Sequence, residues 1–158
     1  MNARVISFAL LLIVLSLLLC GCAQEKAPAA QETCLSIADR VQKSQAFQEL
    51  TEVNESYLEK YLLLSPQEVS EFSFRRDATR ATPEMILVLK ASPDANQADI
   101  KALLGDYHQE QLLQYRDYQP EQLFKLEQAK VLENGPFISL AVCKDEAKAI
   151  SALGGNWK

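Results

Sequence analysis

Met85-Ile86-Leu87-Val88-Leu89 is the stretch that decides the fold. Five consecutive apolar residues leave no polar face, so the segment reads as a central strand covered on both sides. Upstream, from Val69, the chain alternates instead. Phe72 and Phe74 point one way while Glu71, Ser73 and Arg75 point the other, as in a strand with one buried face. Asp77 to Thr82 is polar and reads as the loop between these two strands. Downstream, Ser92-Pro93-Asp94 offers a cap, a proline and an acid, the start of a long helix. Ile100, Leu103, Leu104, Tyr107, Gln111 and Tyr115 fall on one face of it, with Gly105 inside the pattern.

Tyr118-Gln119-Pro120-Glu121 breaks and restarts that helix, which then carries Leu123, Phe124 and Leu126. Ala129 to Glu133 reads as a strand, and Asn134-Gly135 is a strong hairpin signal because both residues accept positive φ. Phe137 to Cys143 alternates again. Thr33 or Ser36 caps a first helix bearing Leu35, Ala38 and Val41, followed by Phe47 and Leu50. Asn54 caps a short helix through Tyr57, Leu58 and Tyr61, and Ser65-Pro66-Gln67-Glu68 starts a single further turn. Asp145 caps a last helix, ended by Gly154-Gly155. The order is α-β-β-α-β-β-α, and each strand pair is too close in sequence for a parallel crossover. The reading is an α+β fold over residues 33–158: an antiparallel four-stranded sheet with helices packed on one face.

The N-terminus is of another kind. Arg4 precedes a mostly apolar run, Val5 to Leu19, the plan of a signal peptide over residues 1–21. The run closes on Leu19-Cys20-Gly21-Cys22, which resembles a lipobox, although Cys20 stands where Ala or Ser is commoner. That resemblance implies cleavage after Gly21 and diacylglycerol on the Cys22 thiol. The domain is then lipid-anchored to the cell membrane, facing the extracytoplasmic side. The alternative is an uncleaved anchor, since the stretch through Ala23 is long enough to span a bilayer. Two acyl chains suffice for stable anchoring. Residues 22–32 continue from the lipidated cysteine as a small, polar, Pro-containing tether.

The chain has 158 residues, 48% hydrophobic and 23% charged, with a net charge of −5, so it folds as one globular domain rather than remaining disordered. No basic run follows the leader. An acidic surface of this kind argues against nucleic acid as a partner. It argues equally against charge-driven binding to anionic headgroups.

Chemistry is sparse. The one histidine, His108, has no further ligands at metal-binding spacing and reads as a surface or boundary residue. No glycine-rich phosphate loop and no nucleophile elbow occurs, so neither a catalytic residue nor a cofactor is expected. Cys34 and Cys143 are an even pair in an oxidising compartment: either a disulfide or two buried apolar side chains. Arg75, Arg76 and Arg80 either grip an anionic ligand or cell-wall polymer, or serve as edge charges that block aggregation. Tyr57, Tyr61, Tyr107, Tyr115 and Tyr118 either line a groove or close the rim of the core.

Glu84-Met85-Ile86 at a strand start, the Tyr118-Gln119-Pro120-Glu121 break and Gly135-Pro136-Phe137-Ile138 together resemble a bacterial family of small exported proteins, the domain of unknown function 4358. Members commonly carry lipoprotein signals. The resemblance implies no catalytic residue. The expected function is a membrane-tethered binding or interaction module, with Arg75, Arg76, Arg80, Tyr107 and Tyr118 as its surface toward an extracytoplasmic protein or cell-wall partner. The alternative is a small extracytoplasmic enzyme acting on cell-envelope material.

Overall fold

The structure, a computed structural model, describes residues 32–158. The expectations for the leader, Cys22 and the tether up to Gln31 lie outside these described residues.

The first helix, α1 (Cys34–Ser44), follows from its spacing: Cys34, Ile37, Ala38 and Val41 recur at one-turn intervals and all are buried. Of the two caps offered by the sequence, Thr33 takes the role. Its Oγ1 accepts from Ser36 N, and Ser36 Oγ returns the favour to Thr33 N. A three-residue strand, β1 (Leu50–Glu52), leads to a short helix, α2 (Glu55–Tyr57), which continues as a π-helical turn over Leu58–Leu62. Then come β2 (Val69–Asp77), β3 (Met85–Ala91) and the long α3 (Gln97–Tyr118). After the proline break, α4 (Leu123–Gln128), β4 (Val131–Asn134), β5 (Phe137–Val142) and α5 (Glu146–Leu153) complete the domain.

The strands form one antiparallel sheet in the order β1-β2-β3-β5-β4. β3 is central, as its unbroken apolar run requires, with Leu87 between Phe74 on β2 and Leu140 on β5. Its residues divide by parity. Met85, Leu87 and Leu89 join one apolar cluster, with Phe74, Ile138, Leu140, Leu62, Ile100, Leu104 and Leu126. Ile86 and Val88 join another, with Cys34, Ile37, Val41, Cys143, Ala149 and Leu153.

Two expectations are thereby corrected. The sheet has five strands, because the three residues of β1 pair with Arg75, Arg76 and Asp77 of β2, a run too short to show alternation in the sequence. The helices lie on both faces, with α1 and α5 over Ile86 and Val88, and α3 and α4 over Leu87 and Leu89. A strand apolar on both faces must be covered twice. Two smaller differences have local causes. α3 starts at Gln97 behind its cap Asn96, whose side chain accepts from Ala98 N, while Ser92 closes a turn with Ala95 ahead of it. The β4–β5 hairpin is centred on Gly135-Pro136 rather than Asn134-Gly135. Gly135 at φ +55° suits the first position of a II′ turn, and proline fixes the second.

A buried ion pair joins the two layers around the start of β3. Lys125 Nζ of α4 donates to Glu84 Oε1 at 2.6 Å, and Gln48 N, from the segment after α1, donates to Glu84 Oε2 at 2.6 Å. Among the described residues, no helix is long and apolar enough to cross a membrane.

Candidate binding cleft

The buried stripe of α3 changes character along its length. Ile100 and Leu104 are aliphatic and lie over the sheet; Tyr107, Gln111 and Tyr115 follow, buried but polar-tipped. Both tyrosines still join the apolar cluster, Tyr107 edge-on to Phe74 of β2 at 6.4 Å, and their hydroxyls reach its edge. Beside them is a cavity of about 410 Å³. Its walls are the second half of α3, the α2 and π-helical turn, and the loop after β2. All five tyrosines of the chain line it, together with Arg76 and Arg80.

The loop is fastened from within. Asp77 Oδ1 accepts from Thr79 N and Oγ1 at 2.8 and 2.7 Å, and Oδ2 accepts from Thr82 N and Oγ1 at 2.9 and 3.0 Å. Burial works against the carboxylate's charge, but these four hydrogen bonds outweigh it and hold Asp77 below the usual range. Tyr115 OH donates to Thr82 O at 2.7 Å, clamping the loop to α3. Arg80 is thus held in the left-handed region, φ +60°, uncommon for a residue with a Cβ.

Opposite, Arg76 Nη1 donates to Tyr57 OH, and its guanidinium lies over the Tyr57 ring, 5.4 Å from the centroid. Tyr57 OH lies 3.4 Å from Tyr107 OH. The Tyr57 ring stacks on Tyr61 at 4.3 Å and meets Phe74 edge-on at 5.5 Å. Burial, then the contact with Tyr57, raises the Tyr107 phenol; burial raises Tyr115 as well. Both stay neutral hydrogen-bonding groups around pH 7. Gln111 Oε1 is buried at this wall with no hydrogen-bond donor in reach among the described residues.

Of the residues singled out in the sequence, Arg76, Arg80, Tyr107 and Tyr118 meet here. Arg75 does not. Strand alternation turns it to the other face, where it reaches Asp39 Oδ1 at 2.8 Å and Gln42 Oε1 at 2.6 Å on α1. Asp77 and Gln111 were missed. The Asp77-x-Thr79 spacing, a known turn-former, is the available signal for the first; for Gln111 it is a polar residue at a core-facing position of the long helix, between Tyr107 and Tyr115.

The remaining chemistry is structural. His108 is buried rather than at the surface, and its Nε2 donates to Leu126 O at 2.8 Å, joining α3 to α4. Cys34 and Cys143 are free, buried thiols. Cys34 opens α1 beside Glu71, while Cys143 lies near Gln45 and Asp145 at the far end of the same helix. Eleven helical residues put about 16 Å between those ends, against roughly 6 Å for disulfide-linked Cα atoms. Of the two readings of this pair, the structure has the two buried thiols and not the disulfide. Burial pushes the Cys34 thiol up to about 12. Among the described residues, no group of three or more His, Cys, Asp or Glu side chains is placed to hold a metal ion.

No curated protein and no solved structure matches the chain. A family model described as Domain of unknown function (DUF4358) matches residues 43–143, a span running from the end of α1 to just past β5 and including every residue of the cleft. The chain therefore belongs to the DUF4358 family.

Proposed function

We propose that this protein is a lipid-anchored extracytoplasmic binding module, with the tyrosine-lined cleft as its ligand site. In this reading the signal peptide, residues 1–21, is removed, Cys22 carries diacylglycerol, and residues 22–32 hold the domain clear of the membrane. The observation that carries the binding role is the cleft itself. It is in the size range of small-molecule sites. Its walls are fixed by hydrogen bonds, and its arginines have no carboxylate within ion-pair distance among the described residues. The neutrality of Tyr107 and Tyr115 favours recognition over proton transfer.

Two measurements test this. Membrane fractionation with intact mass, wild type against Cys22→Ala, tests the anchor: wild type is expected in the membrane, shortened and diacylated, and the variant not. A full-length wild type kept in the membrane sinks the lipoprotein reading. Native mass spectrometry after incubation with envelope extract tests the cleft: wild type is expected to hold a small molecule that Tyr118→Ala loses. Equal spectra for the two sink the binding role.

A further inference from the structure

We propose that the cleft selects a small polyhydroxylated anion, the chemistry of an acidic sugar; this rests on the cleft being the binding site. Three features of the walls carry it, each demanding a different part of the ligand.

The first is charge. The chain has 21 acidic residues against 16 Lys and Arg, and of its partly or fully buried cations Arg75, Lys101 and Lys125 each have an acid partner, while Lys90 lies over the Phe137 ring. Arg76 and Arg80, on one wall of the cleft, have none among the described residues. The contact of Arg76 with Tyr57 orients the guanidinium without neutralising it. Such a planar fork matches a carboxylate, phosphate or sulfate.

The second is the ring surface. Tyr61 and Tyr118 are exposed at the mouth, at 45% and 68%, but Tyr61 already stacks on Tyr57 and has Lys60 Nζ 5.0 Å from its ring centroid. The Tyr118 face carries negative potential, which suits the weakly positive C–H face of a saturated sugar ring. It suits a second anionic group poorly, so the anion belongs at the arginine wall and the ring beside Tyr118.

The third is an unmet acceptor. Gln111 Oε1 is buried with no donor among the described residues, an unfavourable state for a buried acceptor. A small turn of this side chain toward the cleft it lines lets a ligand hydroxyl supply the missing donor. A purely apolar ligand satisfies neither Gln111 nor the arginines, and a cation meets two arginines against the one carboxylate of the walls, Glu110.

The test is calorimetric titration of the processed, detergent-solubilised protein with glucuronate, glucose 6-phosphate, glucose and acetate. Glucuronate or glucose 6-phosphate is expected to bind at least about tenfold tighter than glucose and acetate, and the better of the two identifies the anion as carboxylate or phosphate. Arg76→Gln and, independently, the exposed Arg80→Gln are each expected to weaken that binding by about tenfold, Arg80→Gln with an unchanged melting curve. Raising the salt is expected to weaken it too. If glucose binds as tightly as glucuronate and Tyr118→Ala removes it, the cleft is a binding site but the anion requirement is overturned. If no sugar binds while the dipeptide Ala-Ala does, in a manner lost in Arg76→Gln, the cleft stands and the sugar class is overturned. If no probe binds and the native mass spectra of wild type and Tyr118→Ala also agree, both readings fall.

Discussion

The two faces of the sheet were built from one strand and came to different ends. Under α1 and α5, Ile86 and Val88 meet Cys34, Ile37, Ala38, Val41, Ala149 and Leu153, and the layer is dry and closed. Its polar contacts are structural: Arg75 to α1, and the exchange between Gln45 and Asp145 that joins the end of α1 to the start of α5. Under α3, the layer begins the same way, but past Leu104 the fully buried residues of the helix are tyrosine, histidine and glutamine, with Leu112 only partly buried, and tyrosine, glutamine and arginine line the cavity beside them. The difference teaches that the cleft is a consequence of length. At about 1.5 Å per residue the 22 residues of α3 span about 33 Å, whereas at about 3.3 Å per residue the seven of β3 beneath it span about 23 Å. A helix that outreaches its sheet must end over something other than core.

The largest expected effect is where the two layers are joined. Lys125→Ala leaves the Glu84 carboxylate buried and unpaired and is expected to cost about 3–5 kcal/mol in urea unfolding. The double variant Glu84→Leu with Lys125→Met should recover most of it. A single variant as stable as wild type would mean that the pair does not join the layers.

Next comes the dry face. Ile37→Ala, at a site with no exposure, is expected to cost about 2–5 kcal/mol by the same measurement. A loss below about 1 kcal/mol would mean that this layer repacks freely and is not the rigid one.

The faces also separate by pH. On the dry side, the Cys34 thiol is raised from 9.0 to about 12, so its contribution is fully present below pH 9.0 and is lost as pH rises toward 12. Cys34→Ala should flatten that part of an alkaline unfolding curve. On the cleft side, Asp77 is lowered from 3.8, so its contribution is present above that pH and is lost as pH falls through the lower folded-state value. Asp77→Asn should flatten the acid limb and leave the alkaline limb alone. If each substitution changes the opposite limb, the two faces have been assigned the wrong sensitivities.

The smallest effect is expected at the mouth. Tyr118→Ala should change stability by no more than about 0.5 kcal/mol. Thermal unfolding checks it, and a loss of several degrees would make Tyr118 part of the core and not of a binding wall.

The sequence by itself determined the elements and which way most of them face. Five apolar residues in β3 announced a doubly covered strand, alternation set the two sides of β2, and Pro120 ended α3, because periodicity and backbone restriction are local properties. The doubly covered strand already required helices on both faces, yet it does not say which helix goes where; that depends on how connections cross the sheet. β1 was illegible because three residues carry no period, and it is a strand only because β2 is beside it. The same holds for the site. Tyrosines scattered from position 57 to 118 and two arginines 76 and 80 could be named as candidates, but only the tertiary structure brought them to one cavity and turned Arg75 away from it. A strand's parity assigns faces, whereas convergence of distant segments is set by packing, and packing is not written at any single position.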